Sequence, residues 1–267
     1  MRELSSNSEH SDNKKIWLAV IVAALGYFVD VYDLLLFSSV RIQSLQSIGL
    51  TGEDLLSKGI LLLNLQMIGM LLGGIFFGIW GDKYGRVKVL FGSIFLYSLA
   101  NLANGFVTSV EQYAILRFIA GFGLAGEIGA GITLVSELMP KEKRGYGTTI
   151  VATIGVSGAI VASLVAKHLD WRTAYIIGGL MGLGLLVLRI SVCESGLFNS
   201  VKNYSDIRRG DLRILFKNNK AVFKYISCIL IGTPIWFIVG ILVTFSPEIG
   251  KSLNIQDTIV ASSSVFY

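Results

Sequence analysis

The stretch GIWGDKYGRVKVL, from Gly78 to Leu90, decides the fold, because it places a charged turn between two long apolar segments. Gly78 and Gly81 remove side chains at the end of the first segment, so a neighbouring helix could approach its backbone. Asp82 could face the positive N-terminal end of a neighbouring helix, and Gly85 permits a tight turn. The string therefore predicts a helix, a tight turn and a second helix.

The composition of the whole chain favours a bilayer over water. Of its 267 residues, 53% are apolar and 15% are charged, and the mean hydropathy is +0.66. Soluble domains usually carry about a quarter charged residues. The polar start, MRELSSNSEHSDNKK, lacks the short apolar region and cleavage site of a removable signal peptide. We therefore predict an all-α protein, a polytopic bundle of transmembrane helices.

Seven segments are long enough to cross a membrane, which takes ~20 apolar residues in a helix. They are Ile16–Val40, Gly59–Trp80, Val89–Val110, Gln112–Ser136, Tyr146–Ala166, Thr173–Val192 and Tyr225–Pro247. An eighth apolar stretch opens at Thr258. The predicted organisation is a cytoplasmic tail (1–15), a six-helix bundle (16–192), a basic cytoplasmic linker (193–224) and the start of a truncated second bundle (225–267).

The Lys and Arg residues predict the orientation, because the cytoplasmic loops of membrane proteins are enriched in them. With a cytoplasmic N-terminus, sixteen of the 23 fall inside, including Arg86 and Lys88, and five fall outside, including Arg41. Arg117 and Arg189 lie within spans. The net charge of +5 thus reflects topology. A nucleic-acid partner is not expected, because the sequence has no soluble domain that could carry a basic patch.

The string from Gly78 resembles the G-x-x-x-D-x-x-G-R-[KR] signature of the major facilitator superfamily. The matching residues are Gly78, Asp82, Gly85 and Arg86, with Val87 and Lys88 where a basic pair is usual. The strings ELMPKEKRG (137–145), DWRTAY (170–175) and, more weakly, CESGLF (193–198) resemble others found in its metabolite and sugar porters. The resemblance implies twelve helices in two halves, each built from 3+3 inverted repeats, with the substrate at the midplane. Seven of those helices are predicted here.

The resemblance also implies a role for charged residues at the cytoplasmic ends of the helices. In relatives, residues at the positions of Arg86, Glu137 and Arg144 would form a charge network that latches the outward-open state. We expect these residues, with the glycines, Asp82 and Lys88 of the turn, to form a cytoplasmic gate and to make no contact with substrate.

Four ionisable residues lie inside the predicted spans, where a charge is costly and is expected to face the bundle or a cavity: Asp30, Asp33, Arg117 and Glu127. Asp30 and Asp33 share one face of the first helix. Asp33 and Arg117 lie at matching depths, roughly 8–10 Å and roughly 8 Å from the outer ends of their helices. Protonating an aspartate paired with Arg117 would release the arginine. Such a pair is either a proton-coupling device or an ion pair that only sets helix packing.

The resemblance favours proton coupling. LRFIAGFGLAG (116–126) resembles the R-x-x-x-G motif of helix 4, whose arginine is implicated in proton coupling across the superfamily, and VDVYD (29–33) resembles helix-1 strings of proton symporters. Glu127, about 15 Å farther along its helix than Arg117, is either a substrate or proton site or the partner of an arginine elsewhere. The weaker cavity candidates are Tyr32, Asn64, Gln66 and Trp236.

These observations predict proton-coupled symport of a small organic solute, a carboxylate, sugar or zwitterion, by alternating access in the bacterial inner membrane. The proton gradient would drive it, with no other cofactor and no metal, and a C-terminal half would complete the carrier. The alternative is a truncated fragment that does not transport, because the chain ends inside an apolar stretch. An enzyme is not expected, since the histidines, His10 and His168, lie outside the spans.

Overall fold

The computed structural model describes residues 2–191, 210, 216 and 218–255, and within these ranges the chain is helical and forms no strand. The helices are α1 Arg2–Ser47, α2 Glu53–Tyr84, α3 Arg86–Asn104, α4 Val110–Leu138, α5 Arg144–His168, α6 Trp171–Leu188, α7 Asn219–Phe237 and α8 Ser246–Ser252. A 3₁₀ turn, Arg189–Ser191, follows α6, and a π-helical turn, Ile238–Val243, follows α7. Most of the predicted linker and the stretch from Thr258 lie outside the described residues, as does CESGLF.

Seven of these helices are long and apolar enough to span a membrane, which confirms the seven predicted segments. The bounds differ at most ends. α1 runs on to Ser47, so Arg41, which was predicted to lie in an outer loop, is inside the helix and buried. The prediction was wrong because a hydropathy segment ends at the first charge, whereas the helix continues to the turn at Gly49, where φ is 98°.

The charged string from Gly78 forms a corner between two helices. Gly85 alone separates α2 from α3, and its φ of 109° is strained for any residue with a Cβ. Asp82 therefore lies in the last turn of α2, and Lys88 lies in the first turn of α3 and is exposed. The predicted tight turn is confirmed. At Gly78 a Cβ would meet nothing within 4 Å among the described residues, so the expected close approach of another helix stays a prediction.

The first six helices pack into one bundle. α2 packs along α4, α1 packs along α5, and α3 lies against both α4 and α6. α1 also contacts α4 and α6, so its middle has protein on several sides and includes the fully buried Asp30 and Tyr32. This central position of α1 brings its two acids towards residues of three other helices.

The two ends of the bundle are named here by their turns. The Gly85 end carries the start of the first span, the α2–α3 corner, the α4–α5 turn and the end of α6. The Gly49 end carries the α1–α2 turn and the starts of α4 and α6. At the start of α6, Asp170 caps the helix, and hydrogen bonds from the side chain and backbone of Thr173 lower its pKa.

α7 stands apart from the six-helix bundle. None of its residues is buried, whereas 67% of the most apolar part of α1 is buried. The chain packs against the bundle core again within the π-helical turn, at Val239, and just beyond it the Thr244 and Ser38 hydroxyls lie 2.7 Å apart. Pro234 lies inside α7 and removes one backbone hydrogen bond. In the described residues, α7 and its extension therefore meet α1 at the Gly49 end.

Candidate functional site

The structure brings Asp33 of α1 and Arg117 of α4 together inside the bundle. Arg117 Nη1 lies 3.3 Å from Asp33 Oδ1, and both side chains are almost completely buried. The guanidinium stands over the Phe37 ring, 4.8 Å from its centroid, and 5.6 Å from that of Tyr175. These rings face the cation with their negative π surfaces. Arg117 is therefore held by one carboxylate and two aromatic rings.

The contact with Asp33 does not use all the hydrogen-bond donors of Arg117. Its Nε and Nη2 groups are buried and have no hydrogen-bond partner among the described residues. A buried donor without a partner is costly, because it has lost its water without gaining a protein acceptor. Asp33 therefore satisfies only part of the hydrogen-bonding capacity of Arg117.

A second buried arginine, Arg189, pairs with Glu127 of α4. Arg189 Nη1 donates to Glu127 Oε2 at 2.6 Å, and Nη2 contacts Oε1, so the pairing is bidentate. Nη1 also donates to the backbone oxygen of Leu90 on α3, at 3.2 Å. Of the two interpretations left open for Glu127, the structure thus gives it an arginine partner within this chain. The sequence placed Arg189 in a span without assigning it a partner.

Asp30 lies beside this second pair and has no pairing of its own. Its carboxylate is fully buried, and neither oxygen has a hydrogen-bond partner among the described residues. Glu127 and Arg189 are the charged groups that act on it most strongly. One turn earlier in α1, a Cβ at Gly26 would collide with Glu127, so the helix backbone passes directly against the pair.

The four weaker cavity candidates differ in burial and in their contacts. The Tyr32 hydroxyl donates to the backbone oxygen of Ala174 at 2.9 Å, so this buried side chain joins α1 to α6. Gln66 is buried and its amide has no partner in the described part of the chain. Asn64 is exposed, and Trp236 is 47% exposed on α7.

The expected gate residues cluster at the Gly85 end. Arg86 Nη1 lies 2.6 Å from Asp82, and its Nη2 lies 3.5 Å from Glu137 at the end of α4. Arg144 donates its Nε–H to the backbone oxygen of Met139 at 3.1 Å. Arg86 therefore connects the α2–α3 corner to α4.

A third buried arginine, Arg41, was missed by the sequence analysis. Its Nη2 lies 2.6 Å from Glu248 of α8 and 3.3 Å from the backbone oxygen of Thr244, and its guanidinium stands 4.6 Å from the centre of the Phe245 ring. Arg41 thus joins α1 to the chain beyond α7 at the Gly49 end. The available signal was a lone arginine one residue after an apolar run.

The fold and the charged corner agree with comparisons to known proteins. The sequence model of the Major Facilitator Superfamily matches residues 16–267, and the chain belongs to this superfamily. With seven apolar helices, it is an integral, multi-pass membrane protein.

Two relatives and one solved structure illustrate the similarity. The niacin transporter NiaP of Acinetobacter baylyi is 32% identical over 178 residues, which cover 65% of this chain and 40% of NiaP. The 4-hydroxybenzoate transporter PcaK of Pseudomonas aeruginosa is 30% identical over 192 residues, covering 70% of this chain and 42% of PcaK. An inward-open conformation of the xylose transporter XylE from E. coli shares the fold, with a TM-score of 0.62 and 19% identity, over 82% of this chain and 56% of XylE.

The chain spans about half the length of the curated relatives it matches. Those relatives are named as transporters and not as enzymes. In the described part of the chain, no group of three or more His, Cys, Asp or Glu residues could hold a metal ion.

Proposed function

We propose that this chain forms the first half, and the first helix of the second half, of a carrier that takes up a small organic solute together with protons. The observation that carries the proposal is the buried contact between Asp33 and Arg117. Buried ionisable residues in membrane helices are rare and mark proton or substrate pathways. The carrier would be completed by a C-terminal half and would need no cofactor beyond the proton gradient.

The geometry of the pair supports coupling in which the Asp33 carboxylate and an anionic solute are alternative partners for Arg117. While Asp33 is ionised, it neutralises Arg117. When a proton binds to the Asp33 carboxylate, the guanidinium keeps its charge and needs another anion. Its unpartnered Nε and Nη2 groups could then hold a carboxylate of the solute. Proton and solute would thus bind together, because each one makes the other's site electrically favourable.

A carboxylate is the solute class that this arrangement favours over a sugar or a zwitterion. A buried guanidinium matches a carboxylate in charge and geometry. The aromatic rings of Phe37 and Tyr175 beside it suit a flat apolar body. The names of two relatives, the niacin and 4-hydroxybenzoate transporters, point to small aromatic acids.

The orientation belongs to the same proposal. We place the Gly85 end and the N-terminus on the cytoplasmic side of a bacterial inner membrane, because most Lys and Arg residues outside the spans lie on that side. The contacts of α1 with the chain beyond α7 then close the outer face, while α7 itself stays unburied. This is the arrangement expected of a carrier open to the cytoplasm.

The test uses the protein encoded by the complete gene, reconstituted in lipid vesicles with radiolabelled 4-hydroxybenzoate and niacin as probes. Asp33→Asn should abolish accumulation driven by a pH gradient, while counterflow exchange of the solute survives. The matched control is Asp170→Asn, which makes the same chemical change outside the spans and keeps a good helix-capping residue.

Accumulation that continues unchanged in Asp33→Asn contradicts the proposed coupling. Loss of counterflow together with accumulation, with the control still active, would favour an ion pair that only sets helix packing.

A further inference from the structure

The buried charges of the described residues are equal in number, but their pairing leaves one acid without a cation. Six charged side chains are buried there, and they are three arginines and three acids: Arg41, Arg117, Arg189, Asp30, Asp33 and Glu127. Arg41 takes its acid, the partly exposed Glu248, from outside this set. Asp33 neutralises Arg117, and Glu127 neutralises Arg189. Asp30 is left as an acid without a cation of its own.

Among the described residues, the surroundings of Asp30 include no second cation. The charged groups that act on it are Glu127, Arg189 and Asp33, and the phenols of Tyr27 and Tyr97 are also within electrostatic range. The Arg189 fork is already occupied by both oxygens of Glu127. The group of Asp30, Glu127 and Arg189, called here the Arg189 cluster, therefore carries one surplus negative charge if all three residues are ionised.

A surplus charge in this position is expensive, because it lies in the dry interior of a membrane bundle. One bound proton makes the cluster neutral. Of the two acids, Glu127 is held as a carboxylate by two contacts from Arg189, whereas the oxygens of Asp30 accept no hydrogen bond from any described residue. We propose that Asp30 holds a proton at a site of its own, separate from the Asp33–Arg117 pair.

A small cavity of about 10 Å³ lies beside Arg189, towards the Gly85 end, and its other lining side chains are apolar: Ala19, Val22, Ala23, Val87, Leu90 and Leu134. Arg189 is therefore the member of the Arg189 cluster that borders this cavity, and Asp30 does not line it.

The inference deepens the proposed proton coupling, on which its meaning for transport rests, but its test needs no transport. Infrared spectroscopy detects the carbonyl stretch of a protonated carboxyl group, and near neutral pH exposed acids are ionised and give no such band. The wild-type protein in lipid nanodiscs should show this band near neutral pH. Asp30→Asn, which has the shape of the neutral acid, should fold and lose it.

Two further variants test whether the band depends on the charge balance of the Arg189 cluster or is lost whenever any buried acid is removed. Glu127→Gln should also lose the band, because Arg189 is then free to pair with an ionised Asp30. Asp33→Asn is the matched control. This variant should keep the band, since it removes an acid that pairs with Arg117 and not with Arg189. A band that disappears in Asp33→Asn and persists in Asp30→Asn overturns the proposal, and so does an Asp30→Asn protein that fails to fold.

Sodium provides the remaining test. A wild-type protein that has no protonated carboxyl near neutral pH, and that is stabilised by sodium chloride but not by choline chloride, holds an alkali cation instead and overturns the proposal. If the infrared series holds while Asp33→Asn still accumulates solute, the coupling through Arg117 fails and the proton site at Asp30 stands. The two proposals can therefore fail separately.

Discussion

The pair at Arg117 and the Arg189 cluster use the same residue types for different charge states. Arg117 faces one carboxylate through one nitrogen and keeps two donor groups without partners among the described residues. Arg189 lies near two acids. It contacts both oxygens of Glu127, whereas the oxygens of Asp30 have no hydrogen-bond partner among the described residues. The first site is neutral but short of an acceptor, whereas the second is short of positive charge. The first therefore suits an anionic ligand, and the second suits a proton.

The largest effect that this comparison predicts follows from removing the cation that faces two acids. Arg189→Gln leaves Glu127 and Asp30 together in a dry site. We expect a loss of about 5 kcal/mol in the free energy of unfolding, at the top of the range for breaking a buried ion pair. The loss should grow as pH rises, because both acids must then stay protonated against a lower proton concentration. Denaturant titration in mild detergent at several pH values measures it.

A double variant makes the Arg189 prediction more specific. Glu127→Gln with Arg189→Gln removes both partners and leaves only the acid that we infer to be protonated, so most of the lost stability should return. A double variant as unstable as Arg189→Gln alone would mean that the arginine is needed for packing and not for charge.

The next effect concerns Arg117. Arg117→Gln leaves only Asp33 without its cation, and Asp33 can become neutral by taking one proton. We expect a loss of about 3 kcal/mol in the free energy of unfolding, near the low end of the same range. The same titration compares the two arginines directly. If Arg117→Gln costs more than Arg189→Gln, the number of facing acids does not determine the cost.

The smallest effect is expected at Arg41. Its acid, Glu248, is 24% exposed and can regain water when the arginine is removed. Arg41→Gln should therefore cost about 1.5 kcal/mol, the low end of the range for hydrogen bonds to charged groups. Because Arg41 links α1 to α8, the variant should also raise the labelling of a cysteine placed at Thr244, which is 1% exposed, by a membrane-impermeant thiol reagent. Unchanged labelling would show that the contact does not close this end.

Several elements were predictable because their signals are local. The seven spans follow from segments of apolar residues, and the corner at Gly85 follows from a glycine between two helices. The Asp33–Arg117 contact was also anticipated, because each residue's depth can be counted from its helix end. The equal depth of two charges does not require contact, so this prediction also needed α1 and α4 to be neighbours.

Other features lacked a local signal. Arg189 lies at the end of α6, far in sequence from Glu127, and its pairing depends on how α4 and α6 are rotated about their axes. Tyr32 adjoins Asp33, yet it bonds to α6, while Asn64 and Gln66 on one helix differ in burial. In a membrane helix both faces are apolar, so the hydrophobic pattern that fixes rotation in a soluble helix is weak.

The sequence alone determined that seven segments of the described chain are long and apolar enough to cross a membrane, that the chain turns at Gly85 and which of these segments carry charges. Those properties depend on the cost of placing each residue in hydrocarbon, which is a property of the residue itself. The tertiary structure alone decided which acid meets which arginine and which acid is left over. Pairing depends on distances of a few ångströms between helices, and these are set by side-chain packing across the whole bundle.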